Sequence, residues 1–77
     1  MFPADLVETA TALLASLRAK GLRLAAAESC TGGLVSGLLT EIPGASDVLE
    51  RGFVTYSNAA KIEMLSVPAA VIDRHGA

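Results

Sequence analysis

Two apolar stripes at helical spacing, separated by one short apolar run, constrain this chain more than any other feature. The first stripe is Leu6, Val7, Ala10, Leu13, Leu14 and Leu17, positions three and four apart that line one face of a helix. Pro3 and Asp5 suit its first turn, Arg18 and Lys20 its last, and Gly21 its stop, so a helix is expected over Pro3 to Lys20. The second stripe, Leu34, Val35, Leu38, Leu39 and Ile42, ends at Pro43-Gly44. Between the two, Leu22 to Ala27 (LRLAAA) is short and apolar and follows a turn glycine, which predicts a strand despite its three alanines. Phe53 to Tyr56 is β-branched and aromatic and predicts a second strand, after an irregular Ala45 to Arg51 with one helical turn. Ser57 or Asn58 can cap a third helix over Ala59 to Leu65, which Val67-Pro68 stops; Pro68 can open a further helical turn. The resulting order is helix, strand, helix, strand, helix, an α/β layered fold. Two strands do not finish a sheet, and an open edge is a pairing hazard.

A chain of 77 residues holds one small domain, and a domain this small buries only about 60% of its unfolded surface. No staple relieves that shortage, because a lone Cys30 cannot form an internal disulfide and no Cys/His cluster has metal-ligand spacing. Yet 52% of the residues are apolar and the mean hydropathy is +0.52. Such a surface belongs to something larger, either a longer domain or an oligomer. The net charge of −2, with acids and bases interspersed, argues against a face for nucleic acid. The start lacks the pattern of a secretory signal, and no apolar run approaches the length of about 20 residues that spans a bilayer. A protein of a reducing compartment, the cytoplasm, is the expectation.

The chemistry-bearing residues concentrate in AESCTGG, Ala27 to Gly33, where a strand is expected to give way to a helix. The first N–H groups of a helix lack partners, and its dipole makes that end partly positive. Either Ser29 or Thr31 caps the helix, with Gly32 and Gly33 easing close packing, or the free N–H groups bind an anion and Ser29 is a nucleophile. The loop is neither a Walker sequence nor a dinucleotide fingerprint. Cys30 sits where a thiolate would be stabilised, although no histidine is near it in sequence. Glu28 is placed either to accept loop N–H bonds or to pair with a base. A serine nucleophile needs a base, and His75, the only histidine, lies in the tail. Lys61, in the first turn of the third helix, is the better candidate, since burial can lower a lysine from about 10.4 toward 7–8. Tyr56, five residues earlier at a strand end, can face the same cleft.

The segments AAAESCTGGLVSGLLTEIPGAS and ERGFVTYSNAAKIEMLSV resemble the CinA C-terminal family, the nicotinamide-nucleotide amidohydrolases, over Leu6 to Gly76. The resemblance implies hydrolysis of nicotinamide mononucleotide to nicotinate mononucleotide and ammonia, in a homodimer, with no cofactor and no metal. It puts the nucleophile on Ser29, the proton-handling partners on Tyr56 and Lys61, and the substrate- or oxyanion-binding positions on Thr31, Gly32 and Gly33; Glu28 and Cys30 are possible supports. The family domain is about twice this length, and its later Gly-Ile-Ala-Gly-Pro and Lys-Pro-Val-Gly-Thr segments have no match here. Residues 1–77 are therefore expected to be its N-terminal half, an incomplete part of a larger α/β/α sandwich, with a like chain or a second chain completing the sheet. The competing expectation is a truncated, non-catalytic remnant that forms oligomers or regulates.

Overall fold

The computed structural model describes every residue from Met1 to Ala77. Helix α1 (Ala4–Ala19) leads through a turn to strand β1 (Leu24–Glu28), helix α2 (Leu34–Thr40), a short 3-10 turn (Ala45–Asp47) and strand β2 (Leu49–Val54). Helices α3 (Asn58–Leu65) and α4 (Ala69–His75) follow. The expected alternation of helix and strand is thus the observed one, with two shifted boundaries.

The first shift is at β1. Gly21 adopts φ +66°, its N–H donates to the Arg18 carbonyl at 3.1 Å, and the Leu22 N–H reaches back to the Leu17 carbonyl at 2.9 Å. This pair of bonds is the glycine-closed helix ending in which a left-handed residue satisfies the last carbonyls. It ties Leu22 to α1, so the strand begins at Leu24 rather than Leu22. The second shift is at β2, which starts at Leu49 rather than Phe53 and ends at Val54. Tyr56 therefore lies beyond the strand rather than at its end. Arg51 and Gly52 are poor strand formers by composition, but pairing with Ala25 and Ala26 holds them, and Glu50 is the unpaired residue where the register shifts between Leu24 and Ala25.

The two strands are parallel, with Ala26 opposite Gly52 and Glu28 opposite Val54, so α2 is the crossover between them. The 2.8 Å bond from the Thr55 N–H to the Glu28 carbonyl extends the ladder one step. Both strands consequently release their C-terminal ends at the same edge of the sheet. The core lies toward the other end. Ala10 and Leu14 from α1 meet Leu39 and Ile42 from α2 and its exit, together with Ala45 and Val48. Leu14 is 1% exposed, and burying such a side chain stabilises by about 1.5–3 kcal/mol. Only nine residues are buried, while Leu6, Leu13, Leu34, Val35, Ile62 and Met64 stay exposed. Those apolar faces, and both outer strand edges, are uncovered within this chain. No helix is long and apolar enough to cross a membrane.

Candidate active site at the strand ends

Ser29 directly follows β1, and Thr55 and Tyr56 directly follow β2. Because the strands are parallel and paired to Glu28 and Val54, the fold brings the AESCTGG loop and the TYSN segment side by side. Such an edge is where open α/β sheets bind ligands, since loops there are free to carry chemistry while the strands hold them rigidly.

The loop is organised by Glu28, not by a hydroxyl. The N-cap residue of α2 is Gly33, at φ +102° and with no side-chain cap of its own. Neither Ser29 nor Thr31 serves as the cap, because the Glu28 carboxylate reaches forward from the strand and takes the role. Its Oε1 accepts bonds from the Thr31 hydroxyl (2.8 Å), the Gly33 N–H (3.1 Å) and the Val35 N–H (2.9 Å). Its Oε2 accepts the Ser36 N–H (2.9 Å) and the Ser36 hydroxyl (2.7 Å). A carboxylate at a helix start also meets the positive end of the helix dipole. Burial pushes this carboxyl up, but the bonds from Ser36, Thr31 and Val35 outweigh it and hold it at about 2, against an ordinary 4.5. Of the two sequence alternatives for Glu28, the structure shows the loop-holding one. The side chain is 4% exposed and takes part in neither of the chain's ion pairs, Arg18–Asp47 and Arg51–Glu50.

This arrangement uses up amides that the sequence suggested for an oxyanion. The Gly33 N–H is bound to Glu28, and the Gly32 N–H donates to the Ser29 carbonyl at 3.0 Å. Of the expected stretch only the Thr31 N–H stays unengaged, with those of Ser29 and Cys30 beside it. Ser29 is half-buried and Cys30 is exposed.

Across the edge, Tyr56 is 74% exposed and its hydroxyl is free of intramolecular bonds. Ser57 caps α3 by accepting the Ala60 N–H at 3.0 Å. Lys61 does not lie on a solvated face: it is 8% exposed, and its Nζ donates to the Ala77 backbone oxygen at 3.1 Å. His75 ends α4, exposed. No group of three or more His, Cys, Asp or Glu could hold a metal ion. The largest cavity, about 450 Å³, is lined by residues 40–46 and Leu49. That position, at the C-terminal end of α2 and the start of β2, is the opposite end of the sheet from Ser29. One contributor escaped the sequence reading altogether. Ser36 gives Glu28 two of its five bonds, yet it stands eight residues away with no motif linking them.

A parallel strand pair with a pinned, hydroxyl-bearing loop at its C-terminal edge defines an α/β protein whose candidate site lies on that edge. The chain belongs to the CinA C-terminal domain family, whose model matches residues 6–77. A CinA-like protein of Chlorobium luteolum is 53% identical over 74 residues, covering 96% of this chain and 16% of that protein. A CinA-like protein of Syntrophotalea carbinolica is 61% identical over 57 residues, 74% of this chain and 14% of that one. Among solved structures, the competence/damage inducible protein of Agrobacterium tumefaciens superposes with a TM-score of 0.94 at 47% identity, covering 99% of this chain and 46% of that one. A CinA superfamily protein of Escherichia coli gives 0.90 at 32% identity, with 99% and 45% covered. The chain thus spans less than half the length of these solved relatives, and about one-sixth of the curated ones.

Proposed function

We propose that this chain carries the nucleophile-bearing half of an amide hydrolase site that acts on the carboxamide of nicotinamide mononucleotide, in the cytoplasm. Ser29 Oγ attacks the carboxamide carbon as its proton passes to Lys61, directly or through Tyr56. The tetrahedral oxyanion is held by the unengaged amides of Cys30 and Thr31. Collapse breaks the C–N bond, the departing nitrogen takes a proton and leaves as ammonia, and water then hydrolyses the Ser29 ester to release nicotinate mononucleotide. Glu28 stays ionised and outside the proton transfers, because all its acceptor capacity goes to holding the loop.

The observation that carries this proposal is the parallel pairing of β1 and β2, which sets Ser29, after β1, beside the segment with Tyr56, after β2; Lys61, buried in the helix that follows, is the lysine nearest to Tyr56 in sequence. The exposed Leu34, Val35, Ile62 and Met64 support a further proposal, that additional polypeptide of the same domain or a second copy covers these faces. Incubating the full chain with nicotinamide mononucleotide and following ammonia tests the chemistry. Turnover that disappears in both Ser29→Ala and Lys61→Ala supports it. Silence even after adding the second half of the family domain in trans contradicts it and favours the non-catalytic remnant. The solution mass tests the coverage: self-association fits, and a well-behaved, fully active monomer of 77 residues does not.

A further inference from the structure

Gly52 lies in β2 opposite Ala26, on the stretch over which α2 crosses the sheet. A methyl group built on it would come within 2.5 Å of Ser36 Oγ, and 3.4 Å of Ser36 Cβ. The first distance is closer than real side-chain carbons approach, while the second is ordinary contact. The obstruction is therefore the hydroxyl oxygen alone. That same oxygen donates to Glu28 Oε2 at 2.7 Å, so it cannot swing away without giving up the bond. The backbone of Gly52 carries no positive φ, and its lack of a side chain answers a need for space rather than for conformation. Two residues on, Val54 Cγ2 stands 3.4 Å from where a Cβ on Gly33 would be, so the same face of β2 supports both the start of α2 and the glycine that caps it.

We infer that Ser36, seated over Gly52, is a positioning residue of the candidate site: the bare strand at Gly52 lets the Ser36 hydroxyl grip Glu28, and Glu28 in turn fixes the loop from Ser29 to Gly33. The seat links β2 to the conformation of the loop after β1 without touching any reacting atom. Only the kinetic consequence rests on the amide-hydrolase proposal; the structural consequence stands by itself.

The test uses Ser36→Ala, Gly52→Ala and the double variant in the full chain, with two readouts. Ser36→Ala keeps the helix and the Ser36 backbone bond to Glu28, so it removes one oxygen and little else. Hydrogen exchange of the Gly33 and Val35 amides is expected to speed up about tenfold in that variant, the scale of one lost bond to a charged acceptor. Gly52→Ala is expected to do at least as much, because it expels the hydroxyl and strains the seat. In the double variant the clash has been removed with the oxygen, so exchange returns to the level of Ser36→Ala alone. Such suppression is peculiar to this contact. Turnover should follow the same pattern, with kcat down about tenfold and KM within about twofold, because the loop is misplaced rather than the substrate released. Unchanged exchange in Ser36→Ala, or losses in the double variant that multiply, overturn the inference. A wild-type chain that exchanges as expected but releases no ammonia, even with the second half of the family domain added in trans, overturns the hydrolase proposal alone, and the seat is upheld by the exchange pattern.

Discussion

The chain has two strand-to-helix turns at one sheet edge, and they are built in opposite ways. The turn from β1 to α2 is closed by a buried carboxylate that accepts five bonds, two from Thr31 and Gly33 in the turn and three from Val35 and Ser36 in the first turn of α2. The turn from β2 to α3 starts at a buried Thr55 whose N–H bonds the Glu28 carbonyl, but its one side-chain bond is the exposed Ser57 hydroxyl accepting one N–H, and between them Tyr56 points its ring largely into solvent. The first turn is held by its own buried carboxylate, while the second leaves the Tyr56 side chain exposed and without a hydrogen bond. A nucleophile gains from such preorganisation, since a fixed loop loses little freedom when the reaction begins. A tyrosine that must meet a substrate or a neighbouring chain gains from the reverse.

Substitutions at the two turns should separate them. The largest effect is expected from Glu28→Gln, which puts an NH2 among groups that are themselves donors. Exchange of the Gly33, Val35 and Ser36 amides should approach that of an open loop, and turnover should fall about a hundredfold or more; retained protection would contradict the carboxylate's role. Acidification addresses the same group. Its folded carboxyl is depressed to about 2 from an ordinary 4.5, so its stabilisation is fully present above the ordinary value and is lost progressively as pH falls through about 2. Amide protection across the β1–α2 turn should fade over that window, whereas the Ala60 amide at the second turn, held by a hydroxyl that does not titrate, should show no matching step.

Gly33→Ala comes next. With φ +102° and Val54 Cγ2 at 3.4 Å, an alanine there carries backbone strain of about 1–3 kcal/mol, readable as a lowered denaturant midpoint. The smallest effect belongs to the second turn. Ser57→Ala removes its only side-chain cap and should cost about 0.5–1 kcal/mol, with the Gly33 and Val35 amides unmoved. A loss at the second turn as large as that of Glu28→Gln would erase the contrast between the two.

What the sequence disclosed about these turns depends on how local each signal is. The α1 stripe with Pro3 and Gly21, the loop position at 27–33 and the Ser57 cap rest on neighbouring residues, and periodicity and capping chemistry expose them. The start of β2 is hidden in sequence, because Glu50, Arg51 and Gly52 lack strand propensity, and Arg51 and Gly52 are held by pairing with β1, a contact made across the crossover. Glu28 left its two roles open in sequence, because choosing between them needed the path of the chain after Gly33. Burial of Lys61 could not be told from a solvated helix face without knowing what packs on α3. The space Gly52 leaves for Ser36 joins residues of different elements, so no spacing in the sequence encodes it. Likewise nothing local shows that the Gly32 and Gly33 amides are engaged, because amides at a helix start are free only if no carbonyl or side chain reaches them first.

The most direct test of a pinned Ser29 nucleophile is to trap its ester. The full chain, mixed with nicotinamide mononucleotide, quenched in acid within one turnover and digested, is examined by mass spectrometry. The peptide containing Ser29 is expected to carry the acyl group of nicotinate mononucleotide, Ser29→Ala to abolish it, and Glu28→Gln to lower its yield. An adduct on Cys30, or ammonia release that persists in Ser29→Ala, would contradict a Ser29 nucleophile.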